Sequence, residues 1–409
     1  MVKTRYRFIE IFLVLFLISL SCRGEELKIG MSTALSGPLK EVGSNMRLGY
    51  EMYFERINRE GGVNGYTFKL IVRDDGYEPA RTAINMRKLI DEDQVVAIVG
   101  NVGTPTATVA LPIILEKQIL FFAPMTGARF LRLPQYQDYV FNTRASYEDE
   151  TAEMIRGLLT MGIRPKEIAF FTQNDSYGEA GFKGAVRALE EQGFHDISQL
   201  VHARYRRNSL NVEDAVADIL DAEIEPKAVI MVGSYQPAAK FIRLMRKEIP
   251  GLIYLNVSFV GSEALVEALG GDVRDVVVTQ VVPPYRSSLP VAIEYRKALS
   301  EYSPETRPGF VSFEGYIAAK IFVQTIASVK GDINRNKIRR TFASLDHIDV
   351  GTGRPLSFNF HGKSSTRNVW LTAYHSGEFV PVEWDELAVN RLIVNFFKNT
   401  ELKGYGSEY

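Results

Sequence analysis

VVAIVGNVGTPTATVALPIIL, residues 95–115, changes from one periodicity to another within a single stretch. The run VVAIVG is short, β-branched and apolar throughout, as a strand buried on both faces must be. Beyond it, Thr104 followed by Pro105 reads as a helix start with Thr104 as the N-cap: the threonine oxygen accepts an orphan amide, and proline has no amide to leave unsatisfied. A strand that feeds directly into a helix is half of a β-α-β unit. The same alternation runs along the chain: LKIGMS, FKLIVR, ILFFAP and YVFNT read as strands, and between the first two Met46, Tyr50, Tyr53, Phe54 and Ile57 share one helical face. A second series starts near residue 146, with EIAFFTQ, KAVIMVG, IYLNVSF and DVVVTQVV as strands and helical patterns over 178–192, 211–221 and 237–247. LPVAIEYRKALSEY and FVSFEGYIAAKIFVQTIASV then read as helices, and LSFNF and NVWLTAYH as strands. The expected class is α/β, with two doubly wound parallel-sheet lobes covered by helices on both sides. No Pro- or Ser-rich linker separates them, so the crossing segments are expected to be short and ordered, as in a hinge. Ligands of open parallel sheets bind outside the carboxyl ends of the strands, which places the site in the cleft between the lobes.

Composition excludes several function classes. Across 409 residues, 46% are hydrophobic and 24% charged, the profile of an ordinary globular protein with two or three domain-sized cores. Lys plus Arg (48) nearly balance Asp plus Glu (49), without a long run of either sign, which argues against a nucleic-acid partner. Five scattered histidines and one cysteine give no metal-ligand spacing and no disulfide framework, so no metal or cofactor is expected. The chain has no GxxxxGK[ST] loop, GxSxG elbow or HExxH helix, and an enzyme is not expected. Asp74-Asp75 reads as a cap of the turn before PARTAINMRKL rather than a catalytic pair.

The first residues read as an export signal: Lys3, Arg5 and Arg7, then the apolar IFLVLFLISLS, then small residues at Ser19 and Ser21. The apolar run is too short to span a bilayer, which takes about 20 residues as a helix. Ser19-Leu20-Ser21 suits ordinary signal peptidase, whereas a small residue directly before Cys22 resembles the lipobox of bacterial lipoproteins. The lone cysteine favours the second: residues 1–21 are a signal peptide, Cys22 becomes the acylated first residue, and 22–26 tether an exported, periplasmic, membrane-anchored protein. The segment 386–409 is a C-terminal tail.

The strand ends carry the candidate site. The start of the helix after VVAIVG offers free N-H groups and the positive end of a dipole, so Thr104, Thr106 and nearby amides are candidates to hold a carboxylate; a plain helix start reads the same way. FAPMTGARFL adds Thr126, a hydroxyl, and Gly127, where backbone can approach a ligand closely. In the second series TQNDSYGEAG and VGSYQPAAKF each place a tyrosine between strand and helix, and Tyr177 and Tyr235 are candidates to pack on a ligand's body or to be core residues with their hydroxyls at the rim. Glu263 in SFVGSEAL, or Asp175, is a candidate acceptor for an ammonium group.

In this order, IGMSTALSGPLKEVGSNMRLGYEMYFERINREGGVNGYTFKLIVRDD, AIVGNVGTPT, FAPMTGARFLR, VFNTRASYEDE, QNDSYGEAG and VGSYQPA resemble the type 1 periplasmic binding proteins, in the branch related to the leucine/isoleucine/valine-binding protein of bacterial ABC importers. The resemblance covers nearly all of residues 27–385. It implies two lobes, 27–145 plus 284–355 and 146–283 plus 356–385, joined by a three-strand hinge and closing on a small ligand such as an amino acid or related carboxylate. It implies ABC permease subunits as partners, or alternatively a receptor or chemotaxis system to which the ligand is presented. The family's carboxylate-binding position falls on Thr104, its second-loop hydroxyl near Thr126 and Gly127, its ring positions on Tyr177 and Tyr235, and its ammonium-pairing carboxylate on Glu263. A first-lobe aromatic of the branched-chain binder is Val42 here.

Overall fold

A computed structural model of the chain describes residues 25–358 and 367–388. The expected signal peptide, Cys22 and most of the expected tail lie outside the described residues.

The first sheet is wholly parallel, in the order β2-β1-β3-β4-β5, from β1 (Glu25–Thr33), β2 (Tyr66–Asp74), β3 (Ala97–Val99), β4 (Leu120–Phe122) and β5 (Val140–Phe141). Its apolar runs are continuous because both faces are covered. Ala97, Val99, Leu120 and Phe122 belong to the main core, while Ile98 and Phe121, one residue out of phase, belong to a second core with Ile90, Ala110 and Ile114. The main-core side is covered by α1 (Lys40–Arg59), α9 (Pro290–Tyr302), α10 (Phe310–Ala327) and α11 (Arg335–Ala343), the other by α2 (Pro79–Arg87) and α3 (Thr104–Glu116). Helix α10 is apolar and long enough to cross a membrane, but 89% of it is buried in the molecule, so it is a core helix.

The second sheet runs β14-β13-β10-β9-β8-β6-β7. β6 (Ile168–Gln173), β7 (Val201–Tyr205), β8 (Ala228–Val232), β9 (Ile253–Asn256) and β10 (Val276–Gln280) are parallel. β13 (Trp370–His375) and β14 (Glu378–Pro381) add an antiparallel edge, Val277 facing Ala373. Around them pack α4 (Tyr147–Thr160), α5 (Ser176–Glu191), α6 (Glu213–Leu220), α7 (Tyr235–Glu248) and α8 (Ser262–Ala268). The expected strand LSFNF is represented among the described residues by β12 (Leu356–Ser357), paired antiparallel with β11 (His347–Ile348). IYLNVSF is strand only to Asn256; Ser258–Val260 tightens into a 3-10 turn that turns its side chains inward.

The chain passes to the second lobe after β5, returns after β10 to the helices that cover the first sheet, and rejoins the second sheet at β13. In each sheet one inner strand is flanked by the two strands that follow it in the chain: β1 by β2 and β3, β6 by β7 and β8. The connections diverge at these two points, leaving crevices at the strands' carboxyl ends. The turn after β3 and those after β6 and β8 lie there.

Candidate ligand-binding cleft

Gly103, with φ +107°, occupies the position before α3, so Thr104 is the first helical residue and not the N-cap expected from the sequence. Its hydroxyl is thereby released from capping and lies 2.6 Å from the Thr126 hydroxyl, with both residues buried. Thr106 does not join them: its hydroxyl donates to the carbonyls of Val102 (2.5 Å) and Gly103 (2.9 Å), bracing the turn.

Gly127 acts through a neighbour. An added Cβ would stand 2.5 Å from the Tyr147 backbone nitrogen, which donates to the Gly127 carbonyl at 2.9 Å. The missing side chain seats Tyr147, the first residue of α4, beside the threonine pair. A capping box formed by Ser146 and Asp149 fixes that helix start. The Tyr147 hydroxyl is buried and closes no hydrogen bond. Burial pushes its pKa up, against the pull of Arg144 and of the hydroxyls of Thr126 and Thr104. Sequence reasoning passed over this residue; its only signal was its place in VFNTRASYEDE.

The second lobe supplies an aromatic wall. The Tyr177 ring is 5.3 Å from Tyr147 and 4.6 Å from Phe259, which the 3-10 turn presents, and its hydroxyl reaches the Gly233 carbonyl at 3.4 Å. Tyr77 stands 6.2 Å from Phe259 across the cleft. Tyr235 is buried at the start of α7, against the backbone of Glu41 in α1. Val42 touches the other lobe as well, since a Cβ on Gly261 would meet it at 2.8 Å.

The two candidate carboxylates have different surroundings. Asp175 caps α5, accepting from the Tyr177 amide at 2.9 Å, and holds Gln173 (2.8 Å) and Arg207 (3.1 Å); its charge is already compensated, so it is not an open ammonium acceptor. Glu263 accepts from the Phe310 amide at the start of α10 (3.2 Å), and burial raises its pKa to about 7. Asp74 and Asp75 organise the β2–α2 turn, but the N-cap of α2 is Glu78, which makes no side-chain cap.

Beneath these groups lies a buried ion cluster at the first crossover. Arg144 is fully enclosed, 3.5 Å from Glu314 of α10 and 3.8 Å from Glu150 of α4, and donates to the Ser258 hydroxyl. Glu150 also accepts from the Ser258 amide (2.7 Å), the Ser258 hydroxyl (3.1 Å) and the Thr279 hydroxyl (2.6 Å). Burial raises the pKa of both glutamates, and Arg144 opposes the rise.

Comparison with known proteins agrees with this architecture. Residues 26–377 match the family model described as periplasmic binding protein. The structure of a possible leucine/isoleucine/valine-binding protein from Rhodopirellula baltica SH 1 is 45% identical, with a TM-score of 0.86 over 90% of this chain and 98% of that one. Leu/Ile/Val-binding protein homolog 7 of Brucella abortus is 24% identical over 395 residues, covering 90% of this chain and 94% of its own. At 22% identity and a TM-score of 0.79, over 90% of this chain and 94% of the other, the fatty acid ABC transporter substrate-binding protein of Thermomonospora curvata shares the fold. Two parallel-sheet lobes, three crossings and a match over nearly the whole described chain place this protein in the periplasmic binding protein family.

Proposed function

We propose that the protein captures a small carboxylate, in the amino-acid class, by closure of its lobes and delivers it to the permease of an ABC importer. The observation that carries this reading is the pair of buried hydroxyls of Thr104 and Thr126, 2.6 Å apart at a helix start, with the Tyr147 hydroxyl beside them lacking an acceptor. Without ligand the two threonines share one neutral hydrogen bond; a carboxylate would accept from both, and from Tyr147, in charge-assisted bonds of roughly twice the strength. The start of α3 adds its dipole. Tyr177 and Phe259 come from the opposite lobe and would cover the ligand only when the cleft is shut, so the ligand favours the closed state through contacts it makes only there. Leucine, isoleucine and valine, for which the relatives are named, are all carboxylates. The family places the mature chain outside the cytoplasm. An acyl anchor on Cys22 would leave two residues, Arg23 and Gly24, before β1, a tether reaching about 10 Å.

A thermal-shift screen of the mature chain against amino acids, small amides and aromatic acids tests the class. A ligand at 100 times its Kd adds roughly 2.7 kcal/mol to the folded state. An α-amino acid is expected to raise the midpoint; if amides alone do so, the carboxylate reading fails.

Glu263 makes the amine separately testable. A carboxylate with a pKa of about 7 is largely protonated at pH 5.5, so pairing with an ammonium there must first expel a proton. Affinity for an α-amino acid is expected to rise on the order of tenfold per unit between pH 5.5 and 7, then level off. Calorimetric titration across that range checks it: Glu263→Gln should flatten the profile, and the same slope for a ligand without an amine would remove Glu263 from the site.

A further inference from the structure

The turn between β2 and α2 touches the opposite lobe with three successive residues. Gln173, at the end of β6, donates from Nε2 to the Tyr77 hydroxyl at 3.1 Å. Asn208 Nδ2 donates to the Gly76 carbonyl (3.1 Å) and to Glu78 Oε1 (2.6 Å). Arg207 divides its guanidinium, Nη2 on Glu78 and Nη1 on Asp175 of its own lobe, each at 3.1 Å. Tyr77 (φ 62°) and Asn208 (φ 55°), one from each lobe, both sit in the left-handed region that side-chain-bearing residues seldom occupy. The first-lobe strain is held in place deliberately. Asp75 accepts from the Tyr77 amide (2.9 Å), the Ser32 hydroxyl (2.7 Å) and the Thr82 hydroxyl (3.0 Å), and Gly103 leaves out a Cβ that would stand 2.2 Å from the Tyr77 ring. Strands β2 and β7, which lead into these two segments, are edge strands of their sheets, and the first crossover leaves from β5 at the far edge of the first sheet. The contacts therefore close the rim away from that crossing, where a hinge opening separates the lobes most.

We propose that the turn Gly76-Tyr77-Glu78 and its partners Gln173, Arg207 and Asn208 form a closure latch, which sets ligand affinity through the population of the closed state without touching the carboxylate subsite. This rests on the reading that the lobes close around a ligand. Donors and acceptors sit on different lobes, so the bonds exist only in the closed form, and their loss lowers apparent affinity by the fraction of closed state lost. The residues are positioning residues.

The test compares wild type with Arg207→Ala/Asn208→Ala and with Glu78→Ala, which removes the first-lobe carboxylate and leaves the Arg207–Asp175 pair intact. Two readouts are the radius of gyration without ligand, from small-angle X-ray scattering, and the dissociation rate of L-leucine. The double alanine variant should keep the wild-type far-UV circular dichroism, expand toward the open form, and release L-leucine about tenfold faster, as expected for losing a partly exposed ion pair and two hydrogen bonds. Glu78→Ala should shift both readouts in the same direction. An unchanged radius in both variants overturns the latch. If wild type does not bind L-leucine, the ligand reading loses its first member while the radii still decide the latch.

Discussion

Replacing Arg144 by alanine is expected to destabilise the protein by about 3–5 kcal/mol, the cost of leaving buried carboxylates without their cation. Glu150 would keep its bonds from Ser258 and Thr279, so the larger part of the loss falls on Glu314, whose ion-pair partner is Arg144. Because Glu314 belongs to α10 of the first lobe and Glu150 to α4 of the second, the defect would loosen the seam between lobes as well as the core. The sign of the pH dependence follows from the raised pKa of both glutamates. The folded state holds their protons more tightly than the unfolded chain does, so their contribution to stability falls as pH rises above the ordinary glutamate range of about 4.3. Removing Arg144 raises both further, and the variant's deficit should be smaller at pH 5 than at pH 8. Urea denaturation at the two pH values measures this. Arg144→Met/Glu314→Leu, which removes cation and carboxylate together, should recover part of the loss. A deficit below about 1 kcal/mol for Arg144→Ala would mean that the cluster is hydrated in solution.

Thr104→Val is expected to weaken ligand binding by about 10- to 150-fold while leaving the unliganded protein's melting midpoint within a few degrees of wild type. The substitution preserves shape and removes a hydroxyl that would donate to an anion, a bond of about 1.5–3 kcal/mol. In the free protein only the neutral Thr104–Thr126 bond is lost, since the residue does not cap α3. Tyr147→Phe should fall in the same range, whereas Thr106→Val should cost stability through its two carbonyl bonds and leave affinity nearly unchanged. Isothermal titration of the three variants separates these roles. Equal losses from Thr104→Val and Thr106→Val would place the anion on the helix backbone instead of the hydroxyls.

The fold was legible because burial on two faces leaves a local trace. VVAIVG is apolar at every position since Ile98 and its neighbours Ala97 and Val99 face different cores, and the helices between the strands keep their 3.6-residue period. The site was less legible where geometry depends on backbone torsion or on distant partners. Thr104 and Gly103 exchange roles because Gly103 takes φ +107°, which no one-residue pattern reveals. Tyr77 sits in a left-handed conformation that local propensity argues against, held there by Asp75. Arg144 and Glu314 are far apart in the chain, and nothing near either one announces a buried ion pair. Tyr147 drew no notice, although the glycine that admits it, Gly127, was noticed for its openness to a ligand.

The proposed carboxylate subsite is tested most directly by a crystal structure of the mature protein bound to the ligand that most raises its melting midpoint. The account predicts closed lobes, a carboxylate accepting from the hydroxyls of Thr104, Thr126 and Tyr147, and the ring of Tyr177 over the ligand. A ligand seated elsewhere, with the Thr104–Thr126 hydrogen bond intact, would contradict it.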